Sequence, residues 1–239
     1  MRTLSRFPVL LLLVLATFQI TATAQEVEAP VIENGLAQII PEFENPENWI
    51  REDLWVETEF DSDGDGRPDR MHVDVTRPKA TENGLKLPVI YESSPYYAGT
   101  AGMVPEMFWN VRHEIGELGT HEVGENKTNR AHPEVIRRGE RPIISNSQVK
   151  QWVPRGYIVV HSENPGTGLS DGAPTVGGDN ESLAPKAVIE WLTGKRNGYT
   201  SREGDEKIDA FWSTGKVGMT GTSYNGTLPL AAATTGVDG

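Results

Sequence analysis

Residues 215 to 236 read "GKVGMTGTSYNGTLPLAAATTG", and few folds admit such a run. "KVGMT" is an apolar, strand-like segment, while "TLPLAAATTG" is compact and helix-compatible. Ser223 stands between them, with Gly221 and Gly226 sparing the turn from Cβ clashes. A buried strand that turns sharply into a helix at a serine exposes the hydroxyl. It also aims the next backbone N–H, and the positive end of the helix, at any oxyanion formed there. Ser223 is therefore a candidate nucleophile and the Tyr224 N–H a candidate oxyanion donor. Pro229 falls beyond the first turn of that helix and is expected to distort it.

The rest of the chain supplies strands for such a turn to sit on. "LWVETEF" (54 to 60) and "RMHVDVTRP" (70 to 78) alternate apolar and polar residues, which predicts a long hairpin around "DSDGDGRPD". "LPVIYESSPYY" (87 to 97) and "GYIVVHSEN" (156 to 164) open as continuous apolar runs and predict buried strands. "SLAPKAVIEWLTG" (182 to 194) has helical spacing, with Gly194 placed to cap it. Strand, glycine loop, helix and "KVGMT" together predict a βαβ crossover and an α/β fold, doubly wound around a mostly parallel sheet. Residues 25–49 are proline- and acid-rich and predict an extended arm. Residues 50–239 are expected to be the N-terminal part of a catalytic α/β domain, with a loop-rich insertion at about 98–150.

Residues 1–24 have the pattern of a secretory signal: Arg2 and Arg6, the apolar "VLLLLVLA", then "TATA" before Gln25. The apolar stretch is too short to span a bilayer, so the expectation is an exported protein with no stable membrane association after cleavage. Acidic residues outnumber basic ones, 34 to 22, and losing two leader arginines makes the formal charge of −12 more negative by two. That balance argues against nucleic acid as a partner. With no cysteine, the fold must rest on its apolar core. The sequons at Asn126, Asn180 and Asn225 read as incidental, since the last lies inside the serine turn.

A second serine competes with the first, because "GLSDG" (168 to 172) fits G-x-S-x-G letter for letter. Ser170, however, leads into "DGAPTVGGDN", a run of turn formers with no helix in reach, so it reads as a loop residue. The wider string "GYTSREGDEKIDAFWSTGKVGMTGTSYNGTL" resembles the nucleophile region of Xaa-Pro dipeptidyl-peptidases. These belong to the α/β-hydrolase serine peptidase family that also includes cocaine esterase and carries G-x-S-Y-x-G with its glycine one residue late. "SSPYYAGT" (93 to 100) is similar to the family's S-P-Y segment, and "PRGYIVV", "GTGLSDG" and "AVIEWLTG" to its strand, glycine loop and helix.

The resemblance implies an α/β-hydrolase in which Ser223 is the nucleophile and the Tyr96 hydroxyl joins the Tyr224 N–H in the oxyanion hole. It implies a peptide substrate with proline second and a free amino terminus, and no cofactor. An esterase or acylase of small esters or amides is the alternative within the family. In this fold the order is serine, acid, histidine. The residues after Ser223 hold one acid, Asp238, and no histidine, while His72, His113, His121, His132 and His161 all precede it. The expectation is a chain truncated after the nucleophile elbow, inactive alone, with His161 read as a strand-end residue rather than a base.

Asp61, Asp63 and Asp65 reproduce the start of a calcium loop, with Asp69 at the ninth position. The twelfth is His72, where a bidentate glutamate is needed. The two readings are a calcium site, which would make the protein a non-catalytic calcium module, and a polar hairpin turn.

Overall fold

The computed structural model describes residues 29–96, 137–138, 141–142 and 147–239. The predicted signal segment and nearly all of the predicted insertion at 98–150 lie outside the described residues, as do His113, His121, His132 and Asn126. In chain order the elements are β1 (Ile32–Glu33), β2 (Leu36–Ala37), α1 (Pro41–Glu44), β3 (Trp49–Glu57), β4 (Arg70–Pro78) and β5 (Leu87–Ser94). Then come β6 (Arg137–Arg138), β7 (Arg141–Pro142), α2 (Ser147–Trp152), β8 (Ile158–Glu163) and α3 (Asp179–Leu192). The last are β9 (Gly198–Tyr199), β10 (Lys207–Ile208), β11 (Ser213–Met219) and α4 (Tyr224–Thr234).

Seven strands form one sheet in the order β10-β9-β3-β4-β8-β5-β11. The β8-β5-β11 half is parallel, as expected, but β3 and β4 pair antiparallel with each other and β4 pairs antiparallel with β8. The sheet is therefore mixed, because the hairpin brings its strands in with alternating direction. The expected crossover also takes a detour. After α3 the chain adds β9 beside β3 at one edge, then returns to the opposite edge as β11 beside β5. Two-residue strands are too short to leave a periodicity, which is why this excursion is invisible in the sequence.

One face of the sheet is apolar. Val56, Met71, Val73, Val89, Tyr91, Ile158 and Val160 pack under α3 through Ala184, Val188 and Trp191. At the C-terminal end of α3, Gly194 takes φ 77°, the left-handed conformation that follows many helices. The segment read as an extended arm carries the β1–β2 hairpin and one helical turn. It is docked by buried Ile40 and Phe43 and by the Ile40 N–H donating to the Pro154 carbonyl at 2.8 Å.

On the other face ionisable groups line up across strands. In register, Asp53 lies opposite Asp74, Asp74 opposite His161, and His161 opposite Glu92. Next to this row His72 is fully buried, its Nε2 3.0 Å from Asp53 Oδ1 and its Nδ1 3.0 Å from Glu163 Oε2. Burial by itself pushes the His72 pKa down. The hydrogen bonds and charges of Asp53 and Glu163 outweigh it and raise the ring to about 9, so His72 is an imidazolium held by two carboxylates.

A raised folded-state pKa means that this stabilisation is complete below the unfolded value of 6.5 and is lost as pH climbs through about 9. His72→Gln should cost on the order of 3 kcal/mol at about pH 6, since it leaves the Glu163 carboxylate buried without its cation. The melting-temperature gap between wild type and variant should narrow between about pH 6.5 and 9.5. A constant gap would show that His72 is neutral throughout.

Candidate active site

β11 pairs with β5 as far as Met219 opposite Tyr91, and the Thr220 N–H still donates to the Tyr91 carbonyl at 3.0 Å. The chain then leaves the sheet through Gly221 and Thr222 and enters α4 at Ser223. Ser223 has φ 59° and ψ −123°, one of two described non-glycine residues with positive φ. Such a conformation costs on the order of 1–3 kcal/mol and persists only where the surroundings over-determine it. Here they do. A Cβ on Gly221 would lie 2.2 Å from the Asn225 carbonyl oxygen, so only glycine lets the turn close this tightly.

Two side chains tie the start of α4 to other elements. Asn225 Nδ2 donates to Glu92 Oε1 on β5 at 2.9 Å, and the Tyr224 hydroxyl donates to Glu181 Oε2 on α3. The Tyr224 ring meets the Tyr96 ring edge to face, with centroids 5.9 Å apart. Tyr96 stands just past β5 and is half exposed. Ser223 is exposed, and its carbonyl accepts from Gly226 and Thr227 as the helix begins. The Tyr224 and Asn225 N–H groups start the helix, so neither has a carbonyl one turn back to donate to. An exposed hydroxyl with N–H donors at a helix start beside it can perform acyl transfer once a base removes the serine proton. α4 runs through Pro229, which forgoes a bond to the Asn225 carbonyl without ending the helix.

Ser170 is placed differently. It is buried, its Oγ donates to the Glu163 carbonyl at 2.9 Å, and the same oxygen accepts the His72 N–H at 2.9 Å. The "GLSDG" loop folds down onto Glu163, whose Oε2 accepts the Leu169 N–H at 2.6 Å. A Cβ on Gly168 would lie 2.2 Å from that carboxylate. Among the described residues no histidine bonds to Ser223 Oγ. His161 is buried and its pKa falls to about 3, through burial first and then the charge of Arg51, so it is neutral and a poor base at pH 7. Its Nε2 lies 4.0 Å from Glu92 Oε2, and Glu92 in turn accepts from Asn225 in the serine turn.

The aspartates of the β3–β4 hairpin divide. Asp61, Asp63 and Asp65 bring carboxylate oxygens within 4.8 Å of one another on the surface. Asp61 accepts the N–H groups of Gly64 and Gly66, and the Gly66 bond is the main cause of its lowered pKa. Asp69 does not join them. It is buried, receives the Ser62 N–H at 3.1 Å and the Ser62 hydroxyl at 2.5 Å, and its pKa is raised chiefly by burial. Glu92 and Glu181 were not singled out from the sequence. Each is an ordinary acid in a strand or first helical turn, and their partners lie 133 and 43 residues away.

A family model described as X-Pro dipeptidyl-peptidase (S15 family) matches residues 63–239. The chain is 58% identical over 98% of its length to a Rhodopirellula baltica protein provisionally named Xaa-Pro dipeptidyl-peptidase, covering 36% of that relative. It is 39% identical over 88% of its length to the Xaa-Pro dipeptidyl-peptidase of Ligilactobacillus salivarius, covering 28% of it. The chain thus spans about a third of the length of the curated relatives it matches. Among solved structures, it is similar to a CocE/NonD family hydrolase from Staphylococcus aureus, with TM-score 0.42 and 16% identity over 84% of this chain and 30% of the other.

The two serines make opposite predictions. In the whole protein, Ser223→Ala should abolish labelling by a fluorophosphonate. Ser170→Ala should keep the labelling but lose on the order of 1–3 kcal/mol of stability, because it removes a buried hydroxyl with two partners. Labelling that survives Ser223→Ala and vanishes in Ser170→Ala would reverse the assignment.

Proposed function

Because the chain belongs to the S15 family of X-Pro dipeptidyl-peptidases, we propose that it carries the nucleophile and oxyanion half of a serine peptidase that removes Xaa-Pro dipeptides from free amino termini. The observation that carries the reading is the strained turn at Ser223, with φ 59° between a strand end and the first residue of a helix. Ser223 Oγ attacks the carbonyl carbon of the substrate's proline, and its proton passes to a histidine. The oxyanion forms against the Tyr224 N–H and the Tyr96 hydroxyl. As the C–N bond breaks, the histidine returns the proton to the leaving amine. Water then attacks the dipeptidyl ester with the same histidine as base, releasing the dipeptide and restoring Ser223. That histidine and its acid partner follow the serine in the family's order and complete the site in the whole protein. The chemistry uses no cofactor. We also propose export, on the signal-like pattern of residues 1–24, which predicts a mature protein beginning at Gln25.

A dipeptidyl-peptidase measures two residues by pairing the substrate ammonium with buried acceptors. Acetylating that amine leaves the acceptors unpaired, at a cost of several kcal/mol. The whole protein should therefore cleave a free-amine Xaa-Pro anilide and fail on its acetylated form. Equal rates on both, with preference for simple aryl esters, would make it an esterase; calcium-dependent melting without turnover would make it a binding module. Tyr96→Phe should lower kcat by on the order of 10² to 10³ with little change in KM, as loss of one oxyanion donor does.

A further inference from the structure

We infer that Glu181 is a positioning residue for the oxyanion site: its carboxylate holds the Tyr224 hydroxyl, and the ring so fixed braces the ring of Tyr96. The inference rests on the reading of Tyr96 as an oxyanion donor. Glu181 lies in the first turn of α3 and is only 4% exposed, and a carboxylate that deeply buried must be held by donors. Its Oε2 has two, the Gly177 N–H at 2.9 Å and the Tyr224 hydroxyl. The first closes the loop that leads into α3. The second reaches across 43 residues to the residue that follows Ser223. A bond from a phenol to an ionised carboxylate is charge-assisted and about twice as strong as a neutral one. Burial first, and then Glu181, raises the Tyr224 pKa, so the phenol remains a donor at neutral pH.

The consequence passes through the rings. Tyr96 is 50% exposed at the end of β5, and its backbone N–H is held by Ser94 Oγ at 3.0 Å. Its ring meets that of Tyr224 edge to face, at 5.9 Å between centroids and 76° between planes. Edge-to-face contact fixes the direction of a ring, and therefore of its hydroxyl. A misplacement of about 1 Å in a donor costs on the order of a hundredfold in rate. Glu181 thus acts on the site from α3 without touching the substrate.

The test is a double-mutant cycle in the whole protein, reading kcat and KM on an Xaa-Pro anilide. Tyr224→Phe deletes only the hydroxyl and leaves the Glu181–Gly177 bond intact. It should lower kcat about tenfold with KM nearly unchanged. In a Tyr96→Phe background the same change should cost at most about twofold, because no hydroxyl remains to be positioned. Glu181→Gln keeps an acceptor for the phenol and should retain most of the rate, whereas Glu181→Ala should repeat the Tyr224→Phe loss. A Tyr96→Phe loss joined to a silent or fully multiplicative Tyr224→Phe would overturn the inference alone. A Tyr96→Phe variant with wild-type kcat would overturn both the reading of Tyr96 and this inference.

Discussion

The conformation of Ser223 is the constraint to which the surrounding elements answer. A serine at φ 59° resists its own backbone preference, and nothing local to the turn repays that cost. The repayment comes from outside. β11 is anchored along β5 to Tyr91, and α4 packs on α3 through Ala232 and the apolar residues around it. Asn225 is held by Glu92 and Tyr224 by Glu181. With both ends and both flanking side chains fixed, the turn has no relaxed alternative, and the hydroxyl stays exposed at the sheet's edge.

The two faces of the sheet divide the labour. The face under α3 is apolar and supplies the burial that a chain without disulfides depends on. The other face carries ionisable groups inside the protein: the row from Asp53 through Asp74 and the neutral His161 to Glu92, and His72 between two carboxylates. Buried charges do not raise stability cheaply, since desolvation offsets most of their attraction. Their effect is on geometry. Glu92 ends the row at the serine turn, and Glu163 organises the "GLSDG" loop by accepting Leu169 while its backbone carbonyl accepts Ser170. The loop that matches a nucleophile pattern thus serves as a clamp on β4 and β8.

The elements with strong local signals were legible in the residues. "LPVIY" and "YIVV" are continuous apolar runs and became β5 and β8; the alternation in 70 to 78 became β4; the spacing of Ala187, Val188 and Trp191 became the buried side of α3. What escaped had no local signal. β9 and β10 are two residues each, and the direction of β3 and β4 relative to β8 depends on pairing partners rather than on composition. Asp69 occupied a ligand position by spacing, yet the hairpin turned it inward to Ser62.

By itself the sequence determined the strand–turn–helix around Ser223, the preference for Ser223 over Ser170, and the resemblance that names the family. All of these are properties of contiguous residues and their backbone preferences. Only the tertiary structure decided that Glu181 meets Tyr224, that Tyr224 meets Tyr96, that Glu92 meets Asn225 and that His72 is charged. Each depends on side chains far apart in the chain arriving within hydrogen-bond or ring-contact distance. A carboxylate in a strand or a first helical turn reads the same whether it faces water or a phenol. Burial and the partner across the fold settle which, and neither is written in the residues beside it.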